Sequence, residues 1–237
     1  MRLVSWNCNG KFREKWRILR QLDADIYVVQ ECESPEEYAY AKEFSPTYLW
    51  TGETSKRGLG VFVKDGIKIR ENPWPKYVLR NFLSVRVNET FDLLAVWACR
   101  PYIEEYCIYQ SINYDRLTKQ CVIMGDFNSN SIWDYKHGTR NHTRVVEELA
   151  QKGLYSAYHM LTGEQQGQET LSTFYMHRYL DKGNHIDYCF ADPSRLRGFK
   201  ILDQTWINYS DHLPLEVELI EDGADRMIIE EERAGTA

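Results

Sequence analysis

The sequence lacks the features of a secreted, membrane-spanning or zinc-knuckle protein. Its 6 cysteines include no C-x-x-C pair, which argues against a zinc knuckle or a thioredoxin-type redox motif. No apolar run approaches the roughly 18 residues of a membrane span. The opening MRLVSWNC is typical of a strand rather than of the apolar core of a signal peptide. These absences predict reduced cysteines, no membrane span and a cytoplasmic location.

An excess of basic residues is also lacking. The chain has 29 Lys and Arg against 35 Asp and Glu, a formal net charge of −6, and a pI of about 5.6. Proteins that hold duplex nucleic acid by neutralising many phosphates are usually basic, so any nucleic acid is expected to be held weakly. A nuclease is not excluded, because carboxylates clustered around a metal make an active site acidic by themselves.

Length and composition favour one folded domain. The 237 residues are 43% hydrophobic and 14% aromatic, and a chain of this length buries roughly 70–75% of its unfolded surface. No repeat of fixed period and no low-complexity linker divides the sequence. We therefore predict a single domain over residues 1–220, an acidic C-terminal tail over 221–237, and a monomer.

Short apolar runs separated by turn residues predict more strands than helices. Leu3–Trp6 and Ile26–Val29 are expected to be buried strands on either side of a helix that starts near Phe12. Further strands are predicted over 58–63, 67–70, 78–87, 91–98, 121–124, 172–175, 185–190, 196–202 and 215–220, and helices over 34–44, 103–119 and 144–152. This pattern fits two mostly antiparallel sheets packed face to face, with helices outside.

Polar motifs stand at or near the ends of several predicted strands. They are Ser5-Trp6-Asn7-Cys8-Asn9-Gly10, Gln30-Glu31, Gly125-Asp126-Phe127-Asn128, Asn184-His185-Ile186-Asp187-Tyr188 and Ser210-Asp211-His212. Taken singly, each has an ordinary structural explanation, since Asn, Asp and Gly dominate turns for local hydrogen-bonding reasons. The ordered set is far less ordinary, because mutually supporting polar groups concentrate at functional sites.

In this order the motifs resemble those of the endonuclease/exonuclease/phosphatase superfamily, as found in exonuclease III and deoxyribonuclease I. The resemblance extends from Ser5 to Leu215. It implies a four-layered α/β sandwich and a phosphoesterase that depends on Mg²⁺ or Mn²⁺. Phosphodiester hydrolysis places extra negative charge on non-bridging oxygens and requires a positioned water, and a hard cation with oxygen ligands meets both needs.

The resemblance also assigns the cation's ligands. It makes Glu31 the principal metal ligand, with help from Asn9 or Asn7, and it places Asp211 near the metal or at a second cation position. Asn7 would also orient the scissile phosphate. A site with one dominant carboxylate is adequate, because Mg²⁺ commonly takes one or two carboxylates and keeps several waters.

The remaining assigned residues would transfer protons or donate hydrogen bonds to the phosphate. By resemblance, Asp126 orients or deprotonates the attacking water, and Asn128 donates a hydrogen bond to the phosphate or to Asp126. His212 would hydrogen-bond to Asp187, which fixes its tautomer and stabilises the imidazolium form. The one-residue gap between Asp126 and Asn128 predicts that their side chains lie on one side and that Phe127 points into packing.

One position departs from the superfamily pattern and leaves the substrate open. Many superfamily nucleases have a phosphate-contacting Tyr or His just before a Pro after the mid-chain strand, where this chain has Cys99, Arg100 and Pro101. Arg100 or Tyr102 could supply the missing donor. The leading hypothesis is a nuclease for DNA or RNA. The alternatives are a phosphatase or phosphodiesterase for a small-molecule or lipid phosphoester, and an inert binding module.

Overall fold

Two six-stranded β-sheets dominate the computed structural model, which describes residues 1–220. The acidic tail predicted over 221–237 lies outside the described residues. Within residues 1–220, no helix has the length and apolar character needed to cross a membrane.

The helices and strands alternate along the chain. The strands are β1 Arg2–Asn7, β2 Ile26–Cys32, β3 Thr47–Thr54, β4 Arg57–Val63, β5 Ile69–Glu71, β6 Phe82–Val87, β7 Phe91–Trp97, β8 Cys121–Asp126, β9 Tyr155–Ser156, β10 Phe174–Tyr175, β11 Gly183–Asn184, β12 Asp187–Ala191, β13 Leu196–Ile201 and β14 Leu215–Leu219. The helices are α1 Phe12–Arg20, α2 Pro35–Tyr38, α3 Ala41–Phe44, α4 Ile103–Ile112, α5 His142–Gln151 and α6 Ala157–Thr162.

The first sheet has the strand order β13-β14-β1-β2-β4-β3, and the second has the order β5-β6-β7-β8-β12-β9. Strands β10 and β11 form a separate hairpin. Most neighbours are antiparallel, as predicted, but β1–β2 and β7–β8 are parallel pairs. The carboxyl ends of β1 and β2 therefore share one sheet edge, and those of β7 and β8 share another.

Apolar side chains fill the space between the sheets and cover their outer faces. Leu3 and Val28 of the first sheet pack in one buried cluster with Leu93 and Met124 of the second. Two further clusters lie outside: α4 and α5 pack against the second sheet, and α1 with α3 packs against the first. Burial thus produces helix, sheet, sheet and helix layers, which confirms the predicted sandwich.

Several element boundaries differ from the prediction for local reasons. The helix expected over 34–44 is two short helices separated at Ala39, which is left-handed with φ 54°. The helix expected over 103–119 ends at Ile112 and is followed by one 3₁₀ turn. Strand β3 was not predicted, because this edge strand is only partly buried and lacks an alternating apolar pattern.

Gly125 is required by the close pairing of β7 and β8 just before Asp126. Its φ is +146°, and a Cβ there would lie 1.9 Å from the Val96 carbonyl oxygen. Gly125→Ala should therefore lower the free energy of unfolding by about 3 kcal/mol or more, because backbone on both strands must shift. Urea denaturation measures the change.

The control is Gly138→Ala, which has φ +54° and nothing within 4 Å of the added Cβ. This substitution should cost only about 1 kcal/mol of backbone strain. Equal losses for the two variants would contradict the steric requirement at Gly125.

Candidate active site

The polar motifs meet at one end of the facing sheets. Asn7 ends β1, Glu31 lies near the end of β2, and Asp126 ends β8. Asp187 begins β12, which runs antiparallel to β8 and pairs Asp187 directly with Asp126. His212 comes from the loop before β14 and lies beside these residues.

Glu31 lies within β2 and not after its end as predicted. The β2–β4 register shifts between Gln30 and Cys32, so Glu31 is the extra residue of a bulge, with φ 62°. A left-handed conformation costs a residue of this kind roughly 1–2 kcal/mol. Such strain tends to persist where the surrounding structure fixes it, often at functional sites.

Asp126 and Asn128 are joined by a tight turn. The Asn128 backbone N–H donates to Asp126 Oδ1 at 2.8 Å, and Asn128 Nδ2 donates to Asp126 Oδ2 at 3.0 Å. Asn128 is left-handed, with φ 48°, a conformation that Asn tolerates better than most residues. The two side chains lie together through this turn rather than through strand alternation, while Phe127 is fully buried against Tyr106 and Tyr188.

The Asn7 side chain links two carboxylates. Its Nδ2 donates to Asp126 Oδ2 at 2.9 Å and lies 3.3 Å from Glu31 Oε1. Its Oδ1 accepts a hydrogen bond from the Asn9 backbone N–H at 3.0 Å, which fixes the amide orientation. Asn7 therefore sets the spacing between Glu31 and Asp126.

His212 and Asp187 form a buried hydrogen-bonded pair. His212 Nδ1 lies 2.9 Å from Asp187 Oδ2, and the Thr173 hydroxyl donates to the same oxygen at 2.7 Å. The Thr173 oxygen also accepts hydrogen bonds from the backbone N–H groups of Ile186 and Asp187. Sequence reasoning did not identify Thr173, because a single Thr before a short strand carries no distinguishing pattern.

His212 Nε2 faces Asp126, with 4.0 Å between Nε2 and Asp126 Oδ2. Burial lowers the pKa of His212, but the charges of Asp187 and Asp126 and the Asp187 hydrogen bond raise it to about 10. Burial and the nearby Asp187 charge raise the pKa of Asp126 to about 7, against the opposing effects of His212, Asn7 and Asn128. An imidazolium donor thus faces a carboxylate that can accept a proton near neutral pH.

The residues predicted as metal ligands have other partners in the structure. Glu31 forms an ion pair with Arg57, a residue that sequence reasoning did not identify. Ser210 Oγ donates to the Asn7 carbonyl at 2.7 Å and lies 3.5 Å from Asp211 Oδ1. Within residues 1–220, no hydrogen bond joins the side chain of Asn9 or Asp211 to Glu31.

Two groups of side chains could contribute to a cation site. Asp126, Asp187 and His212 offer ligand atoms that all lie within 4.8 Å of one another. In that group His212 Nδ1 is engaged by Asp187, and a protonated Nε2 is a donor rather than a ligand. Glu31 is a carboxylate with a partly exposed side chain and suits Mg²⁺ or Mn²⁺, which prefer oxygen ligands.

The ordered motifs and their convergence agree with a comparison against protein families. The model of the "Endonuclease/Exonuclease/phosphatase family" matches residues 4–212. The chain belongs to the endonuclease/exonuclease/phosphatase family. The matched range contains every residue predicted for the site, from Asn7 to His212. A comparison with curated proteins finds no match.

Solved structures similar to this family member share its fold at low sequence identity. An AP endonuclease from Archaeoglobus fulgidus is 16% identical with a TM-score of 0.68, covering 93% of this chain and 100% of that one. AP endonuclease LMAP from Leishmania major is 13% identical with a TM-score of 0.69, covering 91% and 86%. D. rerio TDP2 in complex with a single-strand DNA product is 14% identical with a TM-score of 0.63, covering 93% and 99%. At these identities the likeness shows the fold alone.

Proposed function

We propose that this family member is a divalent-cation-dependent phosphodiesterase that hydrolyses nucleic acid. The observation that carries the proposal is the 4.0 Å separation between His212 Nε2 and Asp126 Oδ2. Asp187 hydrogen-bonds to the other ring nitrogen of His212, and Asn7 donates to Asp126. Asn7 also connects Asp126 to Glu31. This arrangement supports the roles proposed for Asp126 as proton acceptor, His212 as cationic donor and Glu31 as metal-binding carboxylate.

Asp126 acts on the attacking water in this proposal. Its carboxylate accepts the water's proton as the water oxygen bonds to phosphorus, and Asn7 and Asn128 keep the carboxylate oriented. His212 Nε2–H donates to a phosphoryl oxygen as negative charge develops there. Asp187, itself held by Thr173, keeps the imidazolium in place. Mg²⁺ or Mn²⁺ held by Glu31, with Asn9 and Asp211 as further ligands, would supply positive charge near the phosphate.

Nucleic acid is the favoured substrate because three lines of support agree. The order of motifs resembles that of nucleases, the fold is shared with AP endonucleases, and it is shared with TDP2 in complex with a DNA product. A small-molecule or lipid phosphoester is the second candidate, supported by the net charge of −6 and by Cys99 at the place of the usual Tyr or His. A single domain, a monomeric state and a cytoplasmic location stay predictions.

A substrate panel tests the proposal. Purified protein with Mg²⁺ or Mn²⁺ is incubated with abasic duplex, single-stranded DNA, RNA and the base-free diester bis(p-nitrophenyl) phosphate. We expect the wild type to hydrolyse nucleic acid and His212→Ala to lose that activity. Turnover of the base-free diester alone would favour the small-phosphoester alternative. Binding of nucleic acid without turnover in any arm would contradict the proposal and favour an inert binding module.

Glu31→Gln should weaken cation binding by about tenfold or more, because a hard divalent cation loses its one dominant carboxylate ligand. Calorimetric titration of Mn²⁺ into the wild type and the variant measures the change. The control Glu53→Gln removes the same charge at an exposed carboxylate that pairs with Arg80, and it should bind Mn²⁺ like the wild type. Unchanged affinity in Glu31→Gln would show that the ligand is misassigned.

A further inference from the structure

A cleft of about 390 Å³ lies beside the candidate active site. Its lining includes Arg57, Arg80, Asn81, Trp97, Cys99 and Arg100. Two contacts connect it to the site: Arg57 pairs with Glu31, and the Ala98 carbonyl, just before Cys99, accepts from Asn128 at 3.2 Å. The cleft therefore adjoins the place where Glu31, Asp126 and His212 would act on a phosphate.

Arg57 and Asn7 together engage both oxygens of Glu31. Arg57 Nη2 contacts Oε2, while Asn7 Nδ2 lies 3.3 Å from Oε1. The Arg57 side chain is 54% exposed and that of Glu31 only 14% exposed. The Arg57 guanidinium also lies 5.8 Å from the Trp97 ring centroid. A divalent cation at Oε2 would therefore compete with this guanidinium, because both carry positive charge and contact the same oxygen.

The displaced guanidinium stays close to the site. Arg57 is the first residue of β4, and its backbone is fixed by pairing with Thr54 of β3. Its side chain already lines the cleft that contains Cys99. Arg100 lines the same cleft, but within residues 1–220 no hydrogen bond or ion pair connects it to Glu31 or Asp126.

We propose that Arg57 is a phosphate-binding residue whose availability is coupled to the cation. Without the cation, Arg57 neutralises Glu31; once a cation occupies Glu31, the guanidinium binds a non-bridging oxygen of the substrate phosphate. The planar fork of Arg suits two phosphate oxygens. This inference rests on the proposed phosphodiesterase function, because the phosphate that Arg57 would bind belongs to the diester that Asp126 would help to hydrolyse.

The test compares Arg57→Gln and Arg57→Lys with the matched control Arg80→Gln. Arg80 lines the same cleft, is 56% exposed and pairs with Glu53 instead of Glu31. Mn²⁺ affinity is measured by calorimetry without substrate, and kcat and KM are measured with bis(p-nitrophenyl) phosphate. In Arg57→Gln the cation no longer competes with a guanidinium for Glu31. Mn²⁺ should therefore bind more tightly, but only about two- to fivefold, because a partly exposed ion pair contributes little free energy. Its KM should rise about tenfold, since a charged hydrogen bond to phosphate is lost.

The lysine variant and the control separate this coupling from a general charge effect. Arg57→Lys keeps the charge near Glu31 and should retain wild-type Mn²⁺ affinity, but it should show a raised KM because Lys lacks the fork. Arg80→Gln should leave Mn²⁺ affinity within twofold. Equal tightening in Arg80→Gln, or none in Arg57→Gln, would overturn the competition at Glu31. An unchanged KM in Arg57→Gln would overturn the phosphate contact. If the wild type hydrolyses no diester, the proposed function and the phosphate contact fail, while the Mn²⁺ comparison still decides the competition.

Discussion

Asp126→Asn should reduce phosphodiester hydrolysis by about a thousandfold or more, because it removes the group proposed to take the proton from the attacking water. The side chain is fully buried and accepts hydrogen bonds from Asn7 and Asn128. An amide of nearly the same shape cannot accept that proton at neutral pH. The fold should survive with a loss of about 1–3 kcal/mol, since one buried amide donor loses its acceptor.

The pH profile gives this prediction a second measurement. Burial and the nearby Asp187 charge raise the pKa of Asp126 to about 7. Its carboxylate form, which accepts the proton, is therefore present above about pH 7 and is lost as the pH falls below it. The wild-type rate should rise through this range, and the residual rate of Asp126→Asn should lack that rise.

The control for Asp126→Asn is Asp92→Asn. Asp92 lies near the opposite end of β7, pairs with Arg86 and accepts from Asn72. It should retain the wild-type rate and the same pH profile. A rate for Asp126→Asn within about tenfold of the wild type, with the fold intact, would exclude Asp126 as the proton acceptor.

The strand ends and their polar motifs could be predicted because their signals are local. An apolar run that stops at Asp126 or Asn7 is visible in the sequence, and the order of the motifs indicates that they share one site. The bulge that contains Glu31 is different. It depends on how β2 pairs with β4, about 30 residues away along the chain, so no local pattern could place Glu31 inside the strand.

Arg57 and Thr173 could not be predicted for a related reason. Arg57 contacts Glu31 across 26 positions of sequence, and Thr173 contacts Asp187 across 14. An isolated Arg or Thr is common on any surface or strand, so neither has a signal of its own. The net charge was also uninformative, because it does not reveal that Arg57, Arg80 and Arg100 line one cleft together with Glu53 and Glu105.

Asp187 and His212 should behave as one unit in a double-mutant cycle. His212→Ala removes the imidazolium proposed to donate to the phosphoryl oxygen, and Asp187→Asn removes the charge that raises the pKa of His212. Each single variant should lose about a thousandfold in kcat/KM, or about 4 kcal/mol of transition-state stabilisation. The double variant should lose little more than His212→Ala alone, because the main proposed role of Asp187 is to hold and charge an imidazole that is already absent.

The cycle requires kcat/KM for the wild type, both single variants and the double variant, with unfolding measured for each. His212→Ala combined with Asp92→Asn provides the control, since these side chains share no partner and their effects should add within about 0.5 kcal/mol. Losses from Asp187 and His212 that multiply to about a millionfold, in variants that remain folded, would contradict the pairing. Asp187 would then act directly on the substrate or on a cation. Its position would permit that role, because Asp126, Asp187 and His212 offer ligand atoms that all lie within 4.8 Å of one another.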